Sequence, residues 1–272
     1  MSDQRDGGIA WTDESWNPIR GCSRVSEGCR NCYAERVAMR FSGPGLPYEG
    51  IVRLSTREAN EDGTPRALGW SGDVRLVPEH LADPLRWRRP RRVFVNSMSD
   101  LFHESLTNEQ IAAVFGVMAL ADTHCFQTLT KRSARMRAFF AARPVELVAA
   151  WMHNALASGL SDLHPAALAA HLTWPLGNVW LGVSVEDQPA ADARIPDLLA
   201  CPAAVRWVSY EPAIGAVDFG AWLGADCPEC AGEHDLHWLV VGGESGPGAR
   251  PFDLAWARST IAQCKAAGVA CF

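Results

Sequence analysis

The sequence predicts an α/β protein: a partial or full β/α barrel, with a mostly parallel sheet and crossover helices. Three observations carry that reading. From residue 91 to the end, short strand-like apolar runs alternate with helical ones. About seven strands are expected, six of them followed by helices, as parallel crossovers require. Polar and small residues cluster directly after the strand-like runs, where parallel α/β architectures gather their ligands. An open doubly wound sheet is the alternative.

The elements follow in order. "GIAWTDESWNP" is a plausible first strand and "YAERVAMRF" a first helix. "RRVFVNSMSD" carries a short strand at Val93 to Val95. "TNEQIAAVFGVMALA" has helical spacing after Thr107, with Gln110 placed to complete a capping box. "HCFQTLTKR" is strand-like, while "SARMRAFFAA" and "PVELVAAWMHNALAS" read as helices. "NVWLGVSVED" is a strand, and "PAADARIPDLLA" is a helix with an internal proline. "VRWVSYEP" and "LHWLVVGGES" are strands. "DLAWARSTIAQCKAAG" is a helix that stops at Gly268, and "VACF" opens another strand. No linker splits the chain, so residues 1–272 are read as one domain. Gly- and Pro-rich insertions are expected near 42–79 and 218–236. The chain ends at Phe272 within an apparent strand, which leaves room for a further C-terminal strand or cap.

The hydrophobic share of 48% is ample for a packed core, which disfavours disorder. A net charge of −6 argues against broad, non-specific nucleic-acid binding but leaves room for a local basic site. No leader pattern and no run of membrane-spanning length is found, so a soluble, cytoplasmic protein is expected, with no membrane partner.

The chemistry concentrates in "GCSRVSEGCRNCYAER". Cys22, Cys29 and Cys32 fall there with no fourth cysteine nearby. Clustered thiols in a reducing compartment point to metal or redox chemistry. A cubane iron–sulfur cluster normally takes four thiolates. Three would leave one iron open to a substrate or cofactor. The alternatives are a zinc site completed by a distant ligand, or three unrelated thiols. Gly21 and Gly28 permit tight turns beside the first two cysteines. Cys125, Cys201, Cys264 and Cys271 are expected to be buried small hydrophobes.

The strand-end clusters supply candidate ligand-binding residues. They are Asn96, Ser97 and Asp100; Thr130, Lys131 and Arg132; Ser184, Glu186 and Asp187; Ser209 and Glu211; and Gly242, Gly243, Glu244 and Ser245. For each of these alone, a structural salt bridge or ordinary loop role is the competing reading.

The blocks "WNPIRGCSRVSEGCRNCYAER", "FVNSMSDLFHE", "FQTLTKR", "NVWLGVSVEDQ" and "VVGGESGPGARP" extend over most of the chain. Through them the chain resembles a phage- and prophage-associated family named for its three-cysteine motif. That family is similar in outline to radical S-adenosylmethionine enzymes. The resemblance implies a radical-SAM-type barrel and a 4Fe–4S cluster on Cys22, Cys29 and Cys32. It also implies S-adenosylmethionine as cofactor and a separate electron donor. The spacing here is C-x6-C-x2-C, against the more common C-x3-C-x2-C. The superfamily's Gly-Gly-Glu element normally ends the second strand; here Gly242 to Glu244 end a late one, and "NSMSD" follows the second. Phage association suggests a nucleobase or nucleotide substrate.

Two further signals stand apart. Cys227, Cys230, His234 and His237 have zinc-like ligand types, so a second metal site or an incidental surface insertion is expected there. "RWRRPRR" packs five arginines and Trp87 into seven residues, but it precedes a strand. It is read as a solvated face or partner surface rather than a phosphate grip. Two functions follow: a radical S-adenosylmethionine enzyme, or a non-catalytic metal-stabilised protein that binds nucleic acid or another protein.

Overall fold

The computed structural model describes residues 9–60, 63, 65–157, 173–224 and 236–272. Strands β1 (Glu14–Trp16) and β2 (Ile19–Arg20) lead into the cysteine loop, and α1 (Tyr33–Arg40) leaves it. The first insertion holds β3 (Val52–Ala59), β4 (Pro65–Trp70) and β5 (Arg75–Leu76), followed by α2 (Pro78–Leu81). Then come β6 (Arg92–Val95), α3 (Asn108–Leu120), β7 (Cys125–Thr128), α4 (Ser133–Ala141) and α5 (Val145–Ala157). The chain continues through β8 (Val179–Ser184), α6 (Gln188–Leu199), β9 (Val205–Tyr210), β10 (Trp238–Val241), α7 (Leu254–Ala267) and β11 (Ala270–Cys271).

Seven strands form one parallel sheet in the order β1-β6-β7-β8-β9-β10-β11. They stand in chain order with no reversal. Right-handed crossovers therefore put the connecting helices on one face. A doubly wound sheet needs a reversal, so that alternative is overturned. Among the described residues the sheet does not close into a barrel either, since β1 and β11 stand at its two edges.

Strand alternation gives the two faces different partners. Val93, Val95, Phe126, Leu181, Val208 and Leu239 join helix residues such as Phe115 and Ile195 in the main core. The opposite face carries Phe94, Trp207 and Val240, packed with Trp11, Trp180 and Trp238. Trp207 stacks on Trp238 with ring centroids 5.0 Å apart, and Trp11 meets Trp207 edge-on at 5.1 Å. Gly182 makes that packing feasible, since a Cβ there would lie 2.5 Å from the Trp207 ring. Burial of each such indole contributes about 2–3 kcal/mol.

Local signals explain the helix ends. Thr107 Oγ1 accepts from Gln110 N at 3.3 Å, and Gln110 Oε1 accepts from Thr107 N at 2.9 Å, closing the expected capping box. Gly268 ends α7 in the left-handed region at φ +70°.

The first insertion is a β-hairpin and not a structureless excursion. β3 pairs antiparallel with β4, and β5 with β2. Glu35 of α1 fastens the hairpin, accepting from Trp70 N at 3.0 Å while also bonding Arg24. In the second insertion, Cys227, Cys230 and His234 lie outside the described residues.

Cys201 and Cys264 are buried as expected, whereas Cys125 and Cys271 are only half-buried. The arginine run is largely spent within the molecule. Arg86 pairs with Asp83, Arg91 with Glu14, and Arg92 with Asp13. Among the described residues, no helix is long and apolar enough to cross a membrane.

Candidate functional site

The face that carries the tryptophans changes character along its strands. β8 presents Trp180, Gly182 and Ser184 at alternate positions, and β9 presents Trp207 and Ser209. Gly182 pairs with Trp207 and Ser184 with Ser209, so the layers align across strands. A bridge between Thr130 and Val183 extends β7 and sets Lys131 beside Ser184. Lys131 Nζ donates to Ser184 Oγ at 2.8 Å, and Ser184 Oγ donates to the Glu211 carbonyl at 3.2 Å. An indole floor thus gives way to a polar layer of Lys131, Ser184 and Ser209. Glu186 and Glu211 follow beyond the strand ends.

The two carboxylates have different fates. Glu186 is locked by Arg194, whose Nη1 and Nη2 lie 2.8 and 3.2 Å from its two oxygens. Burial alone would raise its carboxyl; the Arg194 fork outweighs this and holds it low. Glu211 has no such fork. Burial pushes its carboxyl up, and bonds from Trp11 and Ser209 with the charge of Lys131 only partly oppose this. Gly242 leaves Glu211 its space, since a Cβ there would lie 2.4 Å from Glu211 Oε1.

The cysteine loop lies against this rim. A Cβ on Gly28 would sit 2.9 Å from Glu186 Oε2 and 3.2 Å from Lys131 Cε. Gly21 is required where the loop begins: its φ is +97°, and a Cβ would lie 2.0 Å from the Asp73 carbonyl oxygen. Two clamps hold the loop. On one side Arg132 donates to Cys22 Sγ at 3.7 Å, to Ser23 O at 3.0 Å and to Ser23 Oγ at 2.8 Å. The same guanidinium pairs with Asp100 at 3.1 Å and Glu104 at 2.8 Å. Asp100 also accepts from Thr130 Oγ1 at 2.7 Å, so Asp100 and Thr130 brace the loop.

On the other side, the segment after β10 grips it. Glu244 accepts from Asn31 Nδ2 at 2.7 Å and from Arg250 Nη2 at 2.6 Å. These bonds, Arg250 first, hold the Glu244 carboxyl down to about 2. Arg250 also donates to Glu27 O at 2.9 Å, and Arg36 donates to Asn31 O at 2.6 Å and Ser245 O at 2.9 Å. Glu244 is therefore engaged as a latch. Gly243 packs tightly against Phe252, which a Cβ would meet at 2.9 Å.

The three cysteines are free thiols. Burial pushes the Cys22 thiol up to about 12, and Cys32 adds to the rise. Burial raises Cys32 as well, with Lys131 opposing and Cys29 adding. Among the described residues, no group of three or more His, Cys, Asp or Glu side chains stands ready to hold a metal ion. A 4Fe–4S cubane takes its thiolates one per iron. As a donor set, three reduced thiols on one loop, with Arg132 at Cys22 and Lys131 near Cys32, fit such a cluster.

The remaining candidates sort clearly. Ser97 Oγ bonds the Asn17 side chain at 3.2 Å, and its carbonyl accepts from Tyr33 at 2.6 Å. Asn96 is the anomaly. It is buried, has φ +61°, and neither amide atom has a protein partner. A strained, buried and unsatisfied amide at a strand end marks a position of functional interest. His237 Nδ1 accepts from Arg206 N at 3.1 Å, which leaves only its Nε2 for a metal. Sequence reasoning did not single out Asn17, Asn31, Arg36, Arg194 or Arg250. Asn31 sits inside the cysteine motif, but its partners are more than 200 residues away.

The architecture is thus a parallel α/β sheet with a thiol-bearing loop clamped over its carboxyl edge. The chain belongs to the family described as protein of unknown function (DUF5131), whose model matches residues 6–272. No curated protein and no solved structure matches it.

Proposed function

We propose that this protein is a radical S-adenosylmethionine enzyme built on a partial β/α barrel. One observation carries the reading: a loop with three free thiols is fastened from both sides over the carboxyl edge of a sheet wound in one direction. Cys22, Cys29 and Cys32 would hold a 4Fe–4S cluster. When bound, such a cluster would supply the electron, taken from a separate donor, for reductive cleavage of S-adenosylmethionine to methionine and a hydrogen-abstracting radical.

The chain's own residues position and shield. Lys131, fixed by Ser184, offers an ammonium to a ligand carboxylate or phosphate. Glu211 offers a carboxylate to an ammonium or ribose hydroxyl. Asn96 offers both a donor and an acceptor. The indole floor closes the bottom of the site and excludes water, which protects reactive species. The clamps through Arg132 and Glu244 hold the thiols in place. A zinc site on Cys227, Cys230, His234 and His237 is no part of this reading.

Anaerobic reconstitution with iron and sulfide, followed by a reductant and S-adenosylmethionine, tests it. A brown protein that releases methionine and 5′-deoxyadenosine supports the proposal. A colourless or zinc-loaded protein that never cleaves the cofactor overturns it and favours a metal-stabilised binding protein.

A further inference from the structure

A concavity of about 430 Å³ is lined by Arg20, Gly45, Leu46, Pro47, Glu49 and Arg75. Its construction is unusual. Arg20 and Arg75 are directly paired across the antiparallel β2–β5 ladder. Like charges placed opposite each other on paired strands are destabilising. Neither guanidinium has a carboxylate at ion-pair distance among the described residues. Each is turned onto a carbonyl of the same short loop: Arg20 Nη1 donates to Pro47 O at 3.2 Å, and Arg75 Nη2 to Glu49 O at 3.0 Å. Arg20 also lies over the Tyr48 ring, 5.8 Å from its centroid. The one carboxylate of the groove, Glu49, accepts from Gly45 N at 2.7 Å.

We infer that this groove binds the phosphate of a nucleotide. Two unneutralised guanidiniums on a fixed β-ladder form a forked donor set for one phosphate, and the anion would relieve their repulsion. The volume exceeds what a bare phosphate fills and falls in the range of sites for small organic ligands. Leu46, 42% exposed, adds an apolar wall for a sugar or base. Arg20 lies two residues before Cys22, so a strand or nucleotide held here is tethered at the root of the cysteine loop. The inference goes beyond the cluster reading and stands without it.

The test uses the full chain purified in air, at low salt. Inorganic phosphate, a free mononucleotide and a short single-stranded oligonucleotide are titrated by calorimetry. The nucleotide is expected to bind more tightly than inorganic phosphate. Arg20→Gln and Arg75→Gln should each weaken it about tenfold or more, the usual cost of a lost charged hydrogen bond. Glu49→Gln keeps an oxygen for Gly45 N and removes a negative charge, so it should tighten binding. A gain there cannot come from misfolding. Tighter binding of the oligonucleotide than of the mononucleotide assigns the source as a strand; equal binding assigns it as a free nucleotide. No binding, binding unchanged in both arginine variants, or inorganic phosphate bound as tightly as nucleotide overturns the inference. None of these results bears on cofactor cleavage, so the two proposals fail separately.

Discussion

Arg132 Nη1 stands 3.7 Å from the Cys22 sulfur and 3.1 Å from Asp100 Oδ2. One buried guanidinium, carried by the segment after β7, therefore joins the thiol loop to the segment after β6. Its removal would leave Asp100 as a buried, uncompensated charge. Arg132→Ala is expected to cost about 3–5 kcal/mol in denaturant unfolding, as breaking one partner of a buried pair does. Arg132→Lys should recover only part, because an ammonium cannot reproduce the guanidinium fork. An Arg132→Ala variant as stable as the parent would remove this clamp from the account.

The thiols and the rim should separate by phenotype. Cys29→Ala is expected to abolish both iron-dependent colour and cofactor cleavage. Lys131→Ala should keep the colour and lower cleavage about tenfold or more, the loss expected for a charged hydrogen bond to the ligand. Absorbance near the visible thiolate bands and product chromatography measure the two. Unchanged cleavage in both variants would sink the proposed roles.

Glu244 makes a prediction with a defined acid range. Its folded carboxyl titrates near 2, well below the usual 4.5 for a glutamate. A depressed acid stabilises the fold above its unfolded value and loses that contribution as pH falls through the folded one. The Glu244 contribution should therefore be complete at neutral pH and fade between about 4.5 and 2. Glu244→Gln should remove that part of the acid dependence and cost about 1–3 kcal/mol at neutral pH. Proteolysis near Asn31 should also quicken, because the latch is gone. Identical acid unfolding in parent and variant would contradict the latch.

His124 works in the opposite chemical sense, as a base. Its Nε2 donates to Pro84 O at 3.1 Å, and burial holds its titration below the usual 6.5. Folding therefore prefers the neutral ring. That stability is present above the unfolded value and declines as pH drops below about 6.5 toward the folded value. Unfolding free energies measured at pH 7.5 and 5.5 should differ less in His124→Gln than in the parent. An equal difference would assign the dependence to other groups.

The sheet was legible because its strands carry their own period. Trp180, Gly182 and Ser184 alternate with Leu181 and Val183, and that pattern reads as a strand with two distinct faces. The thiol loop was legible from composition alone. The roles of the rim carboxylates were not. Glu186 and Glu211 both stand two residues beyond an inward-facing serine. They differ only because Arg194 reaches one of them from the following helix. Glu244 stood among the strand-end candidates for ligand binding, yet its partners Asn31 and Arg250 were set by packing across the whole chain. The β3–β4 hairpin was hidden by glycines and prolines, which read locally as loop. Strand-order reversal, or its lack, is a property of contacts between strands, and no local pattern encodes it.

Trp207, Trp238 and Trp11 are packed ring against ring one pleat below the Lys131–Ser184 layer. Such a stack is a built-in lamp. Its ultraviolet emission originates directly beneath the place where a ligand would settle. A chromophore seated there whose absorption overlaps indole emission would dim it by energy transfer, and a colourless ligand would shift it only slightly. Filling of the rim can thus be followed by light from the protein itself, without a label and without turnover.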